Sequence, residues 1–349
     1  MAGATPKLIK ELRELSGAGM LDCKNALNEC EGDVEKAQQW LREQGLSKAA
    51  KKSGNVAAEG LITILVNDDM TKATMTEINS QTDFVAKNAQ FISLANEVTS
   101  HVQATGVSQT EELMQTTING TNFEEYINSK IATIGENIVA RKMVTVSTDN
   151  GVVNGYVHLG KVGVLLAATC AADKKEKVAD LLKKVAMHAA SMKPTVISYT
   201  DFASEFVESE NKAIIADIEK ENEELVRLGK PLKNIPQYVS ASQLTDEAIE
   251  AAKDAMKQEL IAEGKPEKII DNILKGKIAR WIEDNTQLDK THALLSQTYV
   301  MDDSKTVEQA IKEVDESIQI VEYVRFELGE GIEKKEDDFA AEVAAQMGK

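Results

Sequence analysis

"LITILVNDDMTKATMTEINSQTDFVAKNAQF", residues 61–91, sets the fold class of this 349-residue chain. "LITILVN" and "KATMTEIN" flank the polar turn "DDMT", and the second run alternates in the manner of a half-buried strand. Together they read as a β-hairpin. "SQTDFVAKNAQF", residues 80–91, then starts a helix that runs to about residue 102. Thr82 or Asp83 suits the N-cap, where an acid interacts favourably with the helix dipole. Phe84 lies seven residues before Phe91, so one unbroken helix places both rings on a face with Ala95 and Val98. By pattern alone Phe84 therefore belongs to the core. "YTDFASEF" at 199–206 and "DDFAAEV" at 337–343 repeat the theme, so spacing does not single out the first copy. The opposing reading is a turn that projects beyond the core. An exposed Phe forgoes roughly 1.5–3 kcal/mol of burial, a loss tolerated only where a partner covers the ring.

Hairpin followed by helix recurs downstream. "IVARKMVTVST", the turn "DNG", "VVNGYVHL" and "VGVLLAAT" read as sheet, and "KKEKVADLLKKVAMHAASM" as an amphipathic helix that ends before Pro194. A further helix is expected over roughly 121–137. The repetition predicts an α+β fold with a core of two similar halves and antiparallel sheets.

Upstream, residues 5–45 read as three short helices. Thr5 and Pro6 suit the N-cap and N1 positions, "SGAGM" breaks the first helix, and Asp33 caps a third that stops at Gly45. A unit this small has a marginal core and is expected to dock on something. "LSKAAKKSGNVAAEG" reads as the linker after it. Residues 200–292 form an inserted helical arm. Its first stripe, Val207, Ile214, Ile218, Leu225 and Leu228, keeps a rough heptad register interrupted by Asn211 and Glu221. Stripes at Ile249, Ala252, Met256 and Leu260, and at Ile270, Leu274, Ile278 and Trp281, follow. The coiled-coil-like register carries the expectation of self-association through residues 200–292. "IQIVEYVRFEL" returns as a strand, and a last helix presents an edge of Phe339, Val343 and Met347. The expected divisions are an N-terminal module and linker at 1–53, one half of the core at 54–141, and the other half at 142–199 with 293–332. The arm at 200–292 and a C-terminal helix at 333–349 complete them.

Composition narrows the function classes. With 42% hydrophobic and 28% charged residues the chain reads as globular, and no apolar run approaches the roughly 18 residues needed to span a bilayer. "MAGATPKLIKEL" carries no apolar signal region, so export is not expected and the cytoplasm is the expected compartment. Net charge is −17, which disfavours direct contact with nucleic acid or an anionic membrane. The excess lies beyond residue 52, since residues 1–52 hold nine Lys or Arg against eight Asp or Glu. Cys23, Cys30 and Cys170 fit neither a CxxC nor a zinc spacing and read as free thiols.

Catalytic motifs fail on inspection. "GYVHLGKV", residues 155–162, has Gly155, Gly160 and Lys161 of a phosphate-binding loop, but Val162 stands where Ser or Thr would hold magnesium, and a strand follows instead of a helix. The glycines are assigned to a tight β connection. His101, His158, His188 and His292 show no metal spacing. His101 and His188 read as helix-face residues, while His158 in the turn could face a partner. No covalent chemistry and no cofactor is expected.

Five stretches carry a resemblance: "LIKELRELSGAGMLDCKNAL", "AAKKSGNVAAEG", "NSQTDFVAKN", "GYVHLGKVGVLLA" and "VRFELGEGIEKKEDDFAAEVAAQM". Together, and in this order, they resemble the bacterial elongation factor Ts family, with residues 200–292 matching loosely. The resemblance implies a nucleotide-exchange factor for the translational GTPase elongation factor Tu in its GDP form. It also implies a UBA-like three-helix module and a C-terminal helix that grip the GTPase. By the same resemblance, Thr82, Asp83, Phe84 and Val85 enter the partner and dislocate its magnesium. Lys10, Arg13, Met20, Leu21, His158, Phe339 and Val343 are implied as partner contacts, with Leu21 standing where methionine is common. A scaffolding protein that acts through its arm is the competing class, and it requires a buried Phe84.

Overall fold

The computed structural model describes residues 4–333. The C-terminal helix expected at 333–349, with Phe339 and Val343, lies outside the described residues apart from Glu333. The chain divides into two compact units, one of residues up to Ala167 and from Val324 onward, the other Ala168–Tyr323.

The first unit opens with helices α1 (Pro6–Ser16), α2 (Met20–Glu29) and α3 (Val34–Lys52). Thr5 accepts the Leu8 N–H to cap α1, Gly17 closes that helix with φ of 65°, and Asp33 caps α3 through the Lys36 N–H. Leu12, Cys23, Ala26, Leu27 and Ala37 form the small core of this module. The expected stop at Gly45 does not occur. The helix continues to Lys52 because α3 packs against α7 (Phe123–Ile134) at that level. Gly45 is buried there, and a methyl group on it would meet Ala132 at 3.5 Å. Tertiary packing overrides the glycine's poor helix propensity. The linker shrinks accordingly to the few residues after Ser53.

Strands β1 (Glu59–Val66) and β2 (Lys72–Ser80) form the expected hairpin, in register from Glu59 opposite Ser80 to Val66 opposite Ala73. After β2 come the single turn α4 (Asp83–Ala86) and α5 (Ala89–Thr105), then α6 (Thr110–Met114), the short β3 (Thr117–Ile118) and β4 (Thr121–Asn122), and α7. Strand β5 (Val139–Ser147) then pairs with β2, giving sheet order β1–β2–β5. Strand β2 is not half-buried as its alternation predicts. From Ala73 to Ser80 every residue is buried. Ala73 and Met75 join an apolar cluster with Ile62, Val146, Val153 and Leu165 on one face. On the other, Ile78 packs with Phe91, Leu94 and Val98 of α5. The intervening threonines are tolerated because their hydroxyls satisfy one another: Thr76 meets Thr63 at 3.1 Å and Thr99 at 2.7 Å, and Thr74 meets Thr145 at 2.8 Å.

A bulge in the β2–β5 pairing places Arg141 as the extra residue. Its guanidinium reaches Glu77, which is 0% exposed, at 3.1 Å. Glu77 also accepts from Asn79 Nδ2 at 3.0 Å and from the Gly329 N–H at 2.9 Å, so the chain after the last strand is fastened to β2. Strands β6 (Gly151–His158) and β7 (Val162–Thr169) form a second hairpin.

In the second unit α8 (Lys175–Met192) turns Val178, Leu182, Val185 and Ala189 inward. The arm comprises α9 (Ser204–Arg227), α10 (Asp246–Ala262), α11 (Glu267–Asp284) and α12 (Gln287–His292). Helices α10 and α11 pack together, with Lys277 bonded to Glu259 at 2.6 Å. The α9 stripe is largely covered within the chain, Val207 and Ile218 being buried and Ile214 packing on the cluster of Val207, Val239 and Leu288. Helix α13 (Val307–Val314) and strand β8 (Gln319–Glu327) follow, and β8 completes a sheet of order β6–β7–β8. Each three-stranded sheet is thus a hairpin plus one later strand, β3 and β4 pair as a third small sheet, and the mixture of helices and small sheets is the expected α+β fold.

Candidate functional site at two exposed tips

The first tip follows β2. Thr82 has extended backbone, and its hydroxyl caps the turn through the Val85 N–H at 3.4 Å. Glu136, just ahead of β5, accepts from the Gln81 N–H at 3.1 Å, the Thr82 N–H at 3.0 Å and the Thr82 hydroxyl at 2.6 Å. The turn ends after one revolution, because Asn88 caps a new helix by accepting the Gln90 N–H at 2.8 Å. That break resets the helical phase between Phe84 and Phe91. Phe91 is fully buried, whereas Phe84 is 80% exposed, so the core placement read from periodicity is wrong. Val85 packs against the core cluster and Ala86 is buried, which leaves Asp83 and Phe84 as the projecting pair.

Asp83 bonds to Lys87 at 2.7 Å, and that ammonium holds its carboxyl below the usual aspartate range. The charge of Lys161 acts in the same direction. Lys161 belongs to the second tip, the β6–β7 connection, and both tips pack against β1. In that connection His158 and Lys161 bracket a two-residue turn closed by the Lys161 N–H to His158 O at 2.9 Å. Both central residues are left-handed, Leu159 with φ of 51° and Gly160 with φ of 72°, as a type I′ hairpin requires. Gly160 O accepts the Ile62 N–H at 2.8 Å, seating the turn on β1, and a Cβ on Gly160 would strike Leu61 at 2.6 Å. Residues 155–162 are therefore a β connection, not a phosphate loop.

His158 is exposed and shares a hydrogen bond between its Nδ1 and the Tyr156 hydroxyl at 3.0 Å. Leu159 is 81% exposed. An L-residue in the left-handed region is strained by roughly 1–2 kcal/mol, and a large apolar side chain there gains no burial in return. Sequence reasoning missed Leu159. Its signal was Leu-Gly where a two-residue hairpin ordinarily takes Asn-Gly.

On the N-terminal module Lys10 and Arg13 are exposed, and Met20 and Leu21 at the start of α2 stand bare, with Leu15 exposed on α1. Lys10 makes a long 3.8 Å ion pair with Glu14. Of the other histidines, His188 is fully buried. Its Nδ1 accepts the Val300 N–H at 3.2 Å, so its Nε2 donates to Gln297 Oε1 at 2.9 Å and the ring is neutral. His101 stacks on Phe123 and bonds to Thr116. Among the described residues no group of three or more His, Cys, Asp or Glu could hold a metal, and no helix is long and apolar enough to cross a membrane.

Comparison with known proteins adds sequence relationships to this geometry. A family model described as elongation factor Ts matches residues 81–235 and 233–330. The chain is 67% identical over 350 residues to elongation factor Ts of Aliarcobacter butzleri, with all of both chains covered. It is 55% identical to that of Campylobacter curvus over 99% of both chains, and 51% identical to that of Helicobacter hepaticus over 99% of this chain and 100% of the other.

Proposed function

The chain belongs to the elongation factor Ts family, and on that premise we propose that it binds elongation factor Tu carrying GDP and promotes exchange for GTP. The observation that carries the reading is Phe84, four-fifths exposed on a turn that is capped from within and braced by Glu136 just ahead of β5. A protein that leaves a phenyl ring uncovered on a rigid mount has a wedge to offer. The competing scaffold reading requires a buried Phe84.

The wedge acts by displacement. Magnesium offsets the charge of a bound diphosphate, so an apolar ring and an ionised Asp83 pressed between elements of the GTPase loosen the metal and with it the nucleotide. Leu159 and His158 supply a second contact from the second tip, and Lys10, Arg13, Met20 and Leu21 a third. Phe339 and Val343 are assigned to the same partner by family resemblance. Linkage makes the coupling reciprocal: the factor lowers GDP affinity by the ratio in which GDP lowers affinity for the factor. Neither nucleotide is chosen, and the more abundant one refills the site. No bond is made or broken, and the factor needs no cofactor of its own. The setting is the cytoplasm, where translation takes place.

The test is release of fluorescently labelled GDP from elongation factor Tu in stopped flow. The full-length protein should accelerate release, and Asp83→Ala with Phe84→Ala should remove most of that acceleration while the fold stays intact. Unchanged acceleration by the double variant would sink the wedge.

A further inference from the structure

We propose that Glu136 is a positioning residue for exchange: a carboxylate that holds the Asp83–Phe84 turn in its projecting geometry without itself being the contact. The proposal rests on the wedge reading above. Its basis is the convergence of three hydrogen bonds on one side chain. Glu136 Oε2 accepts the backbone N–H groups of Gln81 and Thr82, and Oε1 accepts the Thr82 hydroxyl. The same hydroxyl oxygen caps Val85. Glu136 therefore fixes the two residues that lead into the turn and also orients the hydroxyl that closes it.

The turn needs such a brace. It is one revolution long, with a new cap at Asn88, so it has no helical continuation to stiffen it. Phe84 contributes little packing of its own at 80% exposure. Val85 and Ala86 anchor it from below, and the Ser80 hydroxyl donates to Thr82 O at 3.1 Å. A second layer supports the brace. Gln81 Oε1 accepts from the Asn137 N–H and from Asn55 Nδ2, both at 3.3 Å, and Asn137 Nδ2 donates to Asn55 O at 2.8 Å. Residues around 55, 81 and 136 thus meet at the foot of the tip, joining the chain that leaves α3 to the chain that enters the turn. Bonds to a carboxylate are the stronger kind, and losing their common acceptor leaves two backbone donors and a hydroxyl to find water. A floppy wedge must be ordered at docking, and that ordering lowers the rate at which it can displace anything.

The experiment uses the full-length protein with labelled GDP on elongation factor Tu, and compares Glu136→Ala, Glu136→Gln and Glu136→Ala in the Asp83→Ala, Phe84→Ala background. Amide exchange of the free protein is read at Gln81, Thr82 and Val85. Glu136→Ala should slow release at saturating factor by about tenfold, the size expected for one lost charged bond. Glu136→Gln, which keeps an oxygen for the two backbone donors, should fall between. Exchange at Gln81 and Thr82 should quicken by about tenfold or more, with Met75 and Thr76 in β2 unchanged. In the double-variant background Glu136→Ala should change nothing further. A wild-type release rate, equal losses in both backgrounds, or unchanged amide exchange would each overturn the proposal. If Glu136→Ala does not fold, Glu136→Gln decides by the same readings. If the double variant alone leaves release unaffected, the wedge reading fails and this proposal falls with it, whatever the amide data show.

Discussion

Replacing Phe84 by alanine should scarcely alter stability, while the same change at Phe91, seven residues on, should be severe. Full burial of a Phe side chain contributes about 1.5–3 kcal/mol. Phe84 is 80% exposed, so one-fifth of that, about 0.3–0.6 kcal/mol by the same scale, is what alanine forfeits. Alanine also has the better helix propensity, which offsets part of the loss. Phe91 is 0% exposed and sits among Ile78, Leu94 and Val98, so its truncation opens a cavity and should lose about 3–5 kcal/mol. The readout is the opening free energy from native-state amide exchange at Met75 and Thr76, which lie in the central strand of that sheet. A loss above about 1.5 kcal/mol for Phe84→Ala would mean that the ring is packed in solution. A loss below about 1 kcal/mol for Phe91→Ala would refute the core assignment.

Two further perturbations probe other parts of the molecule. Arg141→Met removes the nearer of the two cations beside the buried Glu77 carboxylate, leaving the Asn79 and Gly329 hydrogen bonds and the longer Lys142 pair. It should lose about 1.5–3 kcal/mol by the same exchange measurement, with Glu77→Gln in the same chain restoring part of it; a loss under about 0.5 kcal/mol would show that Arg141 is dispensable there. Burial holds the His188 imidazole below the ordinary 6.5, so the unfolded chain takes up a proton that the folded one refuses. Its contribution is complete above pH 6.5 and declines as pH falls below that value, by up to about 1.4 kcal/mol per pH unit. His188→Gln, which can keep both the donor and the acceptor, should flatten this slope at Val185 and Ala189 in α8, and an identical slope would exclude His188 as its source.

The hairpins and most helices were legible because each is announced locally, by alternation, by a cap or by a turn residue. Misreadings occurred where a distant contact decided. Gly45 reads as a stop until Ala132 of α7 is seen beside it. Strand β2 reads as half-wet because nothing local tells that Thr76 will find Thr63 and Thr99. Phe84 reads as core because a heptad spacing to Phe91 is visible, while the phase break at Asn88 is a single capping side chain. The tip was recoverable only through resemblance. Leu159 and Glu136 differ in this respect: the first leaves a local trace, leucine where a two-residue turn favours asparagine, while the second sits more than fifty residues from the backbone it holds and leaves none.

The left-handed leucine has a practical consequence for anyone who engineers this scaffold. Asparagine or glycine would relax the backbone at position 159, and a polar residue would suit water better at position 84. An optimiser rewarded solely for thermal robustness would make both changes early and report success. It would return a hardier molecule with its two barest apolar points filed off.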